Sequence, residues 1–486
     1  MNLETLNFLL LIAVYSLALI GVGLAVSRYV RSAGDFFVAG RRLSSPLIFT
    51  TFLAANIGAG STVGATGLGY ALGLSAWWWV GSAGIGSLLL ALFIGPRIYG
   101  LSRRYNFYTV GDYLEHRYDP AVRGLFAGVL WLGSLAILAG QLIAVAWILN
   151  AVAGIPKPLG CAIGGGVVTA YFAAGGLFSA AWVNVIQLTV KMLGFLIAVP
   201  WAVAVAGGWH AVALKVAGPA GGLGAGAEAY LGFTGIGLRG ILGYAVILIP
   251  SFIVSPGLIQ KLYGARDEQA VRRGVGWQAA ALLAYAFLPA ILGITARAAL
   301  PALPNREMAL PAALQYLLPS WLGALLLAAV FSAEVSASDA ILFMLSTSVA
   351  KDFYQRFINP AADDGTLLVA TRWTALGAGL AGIAAAMLLP SVIAALTIFY
   401  GLLAVALFVP LLAGLYSTRP TARAALATMV VSLAAAAVAH FVTHGAGWSV
   451  LTPYAIGILA GAVVMALASS NYWRRLLDGR LFGTCV

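Results

Sequence analysis

Charge is what this sequence has least of. Only 9% of its 486 residues are Asp, Glu, Lys or Arg, against about 25% in an ordinary soluble domain. A soluble globule of this length needs far more polar surface, so a soluble enzyme and a nucleic-acid binder are both excluded. Cysteine is nearly absent. Cys161 and Cys485 supply neither a disulfide framework nor a metal-ligand spacing. No G-x-x-x-x-G-K-[ST] run occurs, so direct ATP drive would need a separate subunit.

What is present is apolar: 62% of the residues are hydrophobic, and the mean hydropathy is +0.97. A bilayer span takes about 20 apolar residues. Thirteen segments qualify, giving an all-α polytopic membrane protein. They are Thr5–Ser27, Leu47–Gly73, Ser75–Gly95, Leu125–Ala153, Leu159–Ala173, Ser179–Ala206, Gly240–Ile259, Val275–Ala299, Leu322–Ala350, Leu367–Leu389, Val392–Tyr416, Ala424–Val442 and Val450–Ser469. The first lacks a basic flank and a small-residue cleavage pattern, so it reads as a retained helix. With the N-terminus outside, 21 of the 27 Lys and Arg fall on the cytoplasmic side. Five, Lys157, Lys215, Arg239, Arg297 and Arg306, fall outside. That asymmetry orients the chain N-outside and C-inside. It also explains the +12 net charge without a nucleic-acid partner. The longest polar connections are Arg97–Gly124 and the Gly-rich Gly207–Leu238, which reads as a flexible external loop.

Two spans are interrupted. Ala54-Ala55-Asn56-Ile57-Gly58-Ala59-Gly60-Ser61-Thr62 puts glycines and small polar residues at mid-membrane depth, where glycine weakens a helix. Unwinding there frees carbonyls that hydrocarbon cannot satisfy; a cation or polar solute can, and so can close packing of helices through small residues. Five spans later, the segment from Ile249 through Pro250, Ser251, Ser255, Pro256 and Gly257 breaks a second apolar helix. Paired breaks point to inverted repeats with a site at the midplane. Of the 15 acidic residues, only Glu334 and Asp339 fall within spans, and such residues usually face a cavity or a partner. Ser332, Ser336, Asp339, Phe343 and Ser346 share one helix stripe. Glu334 lies about 140° away from Asp339, so the expectation is that Asp339 faces a cation and Glu334 serves in packing or pairing. Asn184, Gln187 and Lys191 follow helical spacing on the sixth span. A lone intramembrane lysine needs an anionic partner, an interface to reach, or loss of its proton. Trp77, Trp78 and Trp79 read as an interfacial aromatic belt or as a stacking surface for solute.

Several motifs in order resemble the sodium:solute symporter family. They are Phe36-Phe37-Val38-Ala39-Gly40-Arg41, Ala54-Ala55-Asn56-Ile57, Thr109 through Tyr118, and Gly175-Gly176-Leu177 with Trp182 through Gln187. Gln260-Lys261 with Ala265-Arg266-Asp267 and Arg273-Gly274 follows, then Ser336-Ala337-Ser338-Asp339 through Lys351-Asp352-Phe353-Tyr354. The resemblance implies the leucine-transporter fold and a sodium ion between the first and eighth core helices. Its ligands would be the carbonyls of Ala54, Ile57 and Ala333 and the Ser336 hydroxyl, with Asp339 assisting. Ala337 stands where the family often has a second hydroxyl. Asn184 stands where many relatives carry an Asp tied to coupling, which leaves Asn184 and Lys191 as coupling candidates.

The implied organisation has five parts: residues 1–46 as an extra helix and loop, 47–206 as a first five-helix repeat, and 207–238 as an external loop. Residues 239–416 form the second five-helix repeat, and 417–486 two further helices and a tail. The function expected is sodium-coupled symport of a small polar solute by alternating access, in a cell membrane of prokaryotic type. Its partners are that solute and lipid, with no nucleic acid and no obligatory protein partner. Helix position offers Asn56, Ser61, Trp79, Gln141 and Ser251 as solute contacts. The alternatives are a proton-coupled or sodium-independent carrier using Lys191 and, in another class, a transporter-like sensor or a channel. No kinase, receiver or cyclase segment accompanies the spans, and paired breaks favour an occluded site over an open pore.

Overall fold

The structure, a computed structural model, describes residues 41–175, 180–218, 223, 226–350, 354, 358–359 and 361–469, with a few positions between 10 and 18. The described residues form helices and turns. In chain order they are α1 (Ser45–Asn56), α2 (Ala65–Leu72), α3 (Trp77–Leu89), α4 (Gly95–Tyr105), α5 (Val110–Arg117), α6 (Pro120–Ala153) and α7 (Lys157–Gly175). Next come α8 (Ala180–Val205), α9 (Gly208–Ala217), α10 (Ala227–Leu231), α11 (Gly237–Val254), α12 (Pro256–Tyr263), α13 (Glu268–Tyr285) and α14 (Phe287–Ala299). The remainder are α15 (Ala309–Tyr316), α16 (Ser320–Ser348), α17 (Asp364–Leu388), α18 (Val392–Tyr416), α19 (Ala422–Val442) and α20 (Pro453–Ala468). Eight helical stretches among the described residues are long and apolar enough to cross a bilayer.

Local chemistry sets the helix ends. Asp119 accepts from Val122 N with Pro120 next in the chain, and Asp267 accepts from Ala270 N, so α6 and α13 each begin on a carboxylate cap. Ser391 and Thr452 do the same for α18 and α20 with hydroxyls. Gly73 turns the chain between α2 and α3 at φ +68°, a conformation that favours glycine. A side chain there would also run into the Tyr230 carbonyl.

The two connections read as loops from sequence contain helices. Arg97–Gly124 holds the end of α4, all of α5 and the start of α6, and Gly207–Leu238 holds α9 and α10. Their polarity is that of short helices lying outside the apolar spans, which a search for long apolar runs passes over.

Glycines allow close packing between α2 and α14. A Cβ on Gly69 would lie 2.6 Å from the Ala290 carbonyl oxygen, and one on Gly293 2.2 Å from that of Thr66. So α2 and α14 cross backbone to backbone, the small-residue contact expected in lipid. Helix α6 packs on α16 and α18, α3 on α11, α1 on α13, α8 on α16, and α19 on α20. Leu193, Ile197 and Trp201 on α8 are about half exposed, and Trp373 and Leu380 on α17 more so. An apolar periphery of this kind suits a hydrocarbon surrounding.

Candidate functional site

Regular helix stops at Asn56 and resumes as a π-helical turn, Gly60–Gly64. The groups released between them find partners on four other helices. From α8, the Lys191 ammonium donates to the Ile57 carbonyl. From α6, the Gln141 side-chain oxygen accepts from Ala59 N at 3.2 Å. From α3, Trp79 Nε1 donates to the Gly60 carbonyl at 3.0 Å. From α13, the Tyr285 hydroxyl donates to the Ser61 carbonyl at 3.1 Å. Local hydroxyls take the rest: Ser61 Oγ donates to the Asn56 carbonyl at 2.8 Å, and Thr62 Oγ1 to that of Gly58 at 3.0 Å. Each bond answers the requirement that backbone polar groups in an apolar medium be satisfied.

Helix α16 faces this break with a carboxylate. Glu334 is fully buried, and its Oε1 lies 3.2 Å from Thr62 Oγ1, whose one proton it shares with the Gly58 carbonyl. Its Oε2 makes no hydrogen bond of good geometry among the described residues, though the Ala59 N–H also interacts with the carboxylate. Lys191, also buried, interacts electrostatically with Glu334. On the far side of α16, Ser332 Oγ accepts from Gln187 Nε2 at 2.9 Å. Glu334, expected from sequence to serve in packing or pairing, is engaged by Thr62 and Lys191 and is directed at the break. Helical spacing shows which residues share a face, but not which face meets the break. The side chains of Asp339 and Asn184 lie outside the described residues.

The second break is narrower than the sequence indicates. Helix α11 runs through Pro250 and ends at Val254; Ser255 separates it from α12, which starts at Pro256. A proline lacks the N–H that would continue the ladder. The Ser251 hydroxyl bridges the carbonyls of Ile247 and Tyr400, each at 2.5 Å.

Beside the first break lies a cavity with about 440 Å³ of empty volume, its open mouth included. Asn56, Gly58, Ser61, Trp79 and Gln141 form its polar side; Leu248, Phe252, Leu282, Leu396 and Tyr400 are among its apolar and aromatic residues. Among the described residues, no charged side chain lines it. Four of the five solute contacts expected from helix position thus border one cavity, and Ser251 does not. Of the expected sodium ligands, Ala54 and Ile57 sit at the end of α1, and Ala333 and Ser336 are buried on α16. Sequence reasoning missed Tyr285, Tyr400 and Phe252, whose roles depend on tertiary contacts and leave no local pattern.

A long bundle with two broken helices and a polar cavity at the first of them has counterparts among known proteins. The profile of the sodium:solute symporter family matches residues 36–432. The chain belongs to that family. It is 27% identical over 469 residues to a sodium/glucose cotransporter of Vibrio parahaemolyticus, covering 87% of this chain and 83% of that one. It is 28% identical to a sodium/pantothenate symporter of Escherichia coli, covering 88% and 89%. Among solved structures, a Na+-coupled sialic acid symporter in a substrate-bound outward-open state superposes with a TM-score of 0.74 at 18% identity, over 96% and 97% of the two chains. A nucleobase-cation-symport-1 family transporter superposes at 0.56. The fold is therefore that of a multi-pass membrane transporter.

Proposed function

We propose that the protein couples sodium influx to uptake of a small polar solute by alternating access. The observation that carries this reading is the first break, opening onto a cavity on one side and onto the buried polar face of α16 on the other. Sodium, held by the carbonyls of Ala54, Ile57 and Ala333 and by Ser336, would join the two helices and favour the outward-open form. Solute then binds beside the break, the bundle rocks, and both leave inside. One charge moving down 100 mV releases about 2.3 kcal/mol, which corresponds to about fiftyfold accumulation.

Packing supports the five-plus-five repeat that this mechanism needs. Exchanging the halves maps the α3–α11 contact onto α13–α1, and the α6–α18 contact onto α16–α8. With the first, twelfth and thirteenth spans outside the repeat, the proposed topology has thirteen spans, N-outside and C-inside, in a prokaryotic cell membrane.

One observation favours a second reading. The Ile57 carbonyl, a proposed sodium ligand, already accepts from Lys191, and Ala337 offers no hydroxyl. In a sodium-independent or proton-coupled carrier the ammonium would stand where the ion stands in the first reading. Thermal unfolding of the purified protein against sodium, with potassium as the ionic-strength control, separates the two. A saturable sodium-specific shift supports symport with sodium; identical curves in the two salts support the lysine reading.

A further inference from the structure

Helix α18 lies across the first break and is keyed to it by shape. A Cβ on Gly60 would collide with Leu396 Cδ2, one on Gly140 of α6 with Leu396 Cδ1, and one on Gly64 with Ile393 Cδ1. Leu396 thus seats its two methyl groups in glycine notches on two different elements, and with Tyr400 it also lines the cavity. The start of this helix is held by a carboxylate from elsewhere in the chain. Glu307 lies on the 3-10 turn Arg306–Met308, between α14 and α15. Its Oε1 accepts from the N–H of Val392, the first residue of α18, at 2.6 Å. The turn is itself fixed on its other side. Asn305 Oδ1 accepts from Glu307 N at 2.9 Å, and a Cβ on Gly67 of α2 would lie 2.9 Å from the Arg306 carbonyl oxygen. Glu307 therefore ties a turn packed on α2 to the helix that crosses the break.

Its surroundings make that tie sensitive to protons. Glu307 is 1% exposed. Its Oε2 makes no hydrogen bond of good geometry, though the Trp147 indole N–H of α6 interacts with the carboxylate. The charged groups that act on it are Arg306, on its own turn, and Lys157, at the start of α7, whose ammonium donates to the Leu389 carbonyl at 2.5 Å. Among the described residues, α2, α6 and α18 present no charged group to it. Burial outweighs both cations and pushes the carboxyl up to about 7. Released into water, the group returns to the ordinary carboxylate range. The tied arrangement therefore binds the proton more tightly than the released one, and is weakened as pH rises through about 7. Freeing one helix end costs less than unfolding the chain, so release comes first.

We propose that Glu307 is a proton-sensitive latch: it holds the start of α18, and with it Leu396, against the first break at acid pH and lets go at alkaline pH, so that pH sets how readily the cavity is uncovered. The proposal rests on the transport reading only in taking the cavity as the place where solute enters.

The test is the reactivity of Ala395→Cys, in full-length purified protein carrying Cys485→Ser, toward a small methanethiosulfonate reagent between pH 5.5 and 8.5. Ala395 is fully buried, and a Cβ on Gly140 would lie 3.3 Å from its own, so the reagent reaches this position only when α18 leaves α6. Cys161 is buried, and the chain without Ala395→Cys supplies the background. Each rate is divided by that of the same chain with Glu307→Gln, which keeps an acceptor for Val392 but does not titrate. The thiol's own ionisation then cancels. The ratio should be about one at the acid end and rise about tenfold or more by the alkaline end. Arg306→Gln removes a cation that favours the charged form and should move the midpoint of the rise to higher pH, which a merely structural contact would not do. If Glu307→Gln does not fold, the Arg306→Gln profile against that of the parent decides alone. The inference is overturned if the ratio is flat, if it falls as pH rises, or if Arg306→Gln leaves the midpoint in place. Failure of the transport reading would show separately, as protein whose labelling follows pH but which accumulates no solute in proteoliposomes.

Discussion

The Lys191 ammonium, carried by α8, donates to the main-chain carbonyl of Ile57, the first residue past the end of α1. Replacing the ammonium removes the carbonyl's donor and leaves Glu334 without its positive neighbour. Leaving a buried carbonyl without its donor costs about 1–3 kcal/mol. Lys191→Met should therefore lower the unfolding temperature markedly in sodium-free buffer. Because the variant frees the Ile57 carbonyl, added sodium should recover more stability than it adds to the wild type. A variant as stable as the parent would mean that the lysine does not hold the break.

Ser336→Ala tests the proposed ion site from α16. It removes one side-chain oxygen from a buried position. The sodium concentration for half-maximal uptake should rise about tenfold, the equivalent of about 1.4 kcal/mol. An unchanged sodium dependence would move the ion elsewhere.

Glu307 makes the protein's stability depend on pH outside the spans. It is buried, and its Oε1 accepts from Val392 N at 2.6 Å at the start of α18. Burial pushes its carboxyl up to about 7, against the lowering effects of the Val392 hydrogen bond and of Arg306 and Lys157. A carboxyl raised on folding binds its proton more tightly in the folded state. Its contribution is fully present below the ordinary carboxylate range and is lost as pH rises through about 7. Between pH 4.5 and 7 this amounts to about 3 kcal/mol. Glu307→Gln keeps an acceptor for Val392 and should flatten the fall in unfolding temperature between pH 5 and 8. An equally steep fall in the variant would assign the pH dependence to another group.

Gly293 admits no side chain where α14 crosses α2. Gly293→Ala should cost about 1–3 kcal/mol, the usual penalty for overpacking, and lower the yield of folded protein. Gly128→Ala, on α6, meets nothing within 4 Å and should be neutral or slightly stabilising. Equal behaviour of the two variants would contradict the backbone crossing.

Orientation is tested by labelling. A cysteine at position 157 should react with an impermeant maleimide added to intact cells, and one at position 104 only after the membrane is opened. Cys161 is buried and should stay silent in both. The reverse pattern would invert the topology.

The sequence displays what depends on composition and order. Apolar runs locate the helices, and the glycines at 58 and 60 and the proline at 256 mark both breaks. Asn56, Ser61, Trp79 and Gln141 were legible as cavity residues because helix position places them beside the first break. A helical wheel gives relative angles only, so the orientation of Glu334 toward Thr62, which depends on how α16 is rotated in the bundle, is not legible in the sequence. Tyr285 was invisible for a related reason. Its hydroxyl reaches Ser61, 224 positions away, and nothing near Tyr285 in the chain anticipates that contact.

The four helices that bond to the break also set the energetics of loading it. An unwound segment with bare carbonyls would bind any cation avidly and release it slowly, since each exposed polar group costs about 1–3 kcal/mol to leave unmet. Here the carbonyls of Ile57, Gly60 and Ser61 are already met by Lys191, Trp79 and Tyr285. An arriving ligand exchanges one partner for another, at a net difference of about 0.5–1.5 kcal/mol per bond. A ligand site at the break would thus trade affinity for turnover, filling and emptying across shallow steps as a carrier that must let go on the far side requires.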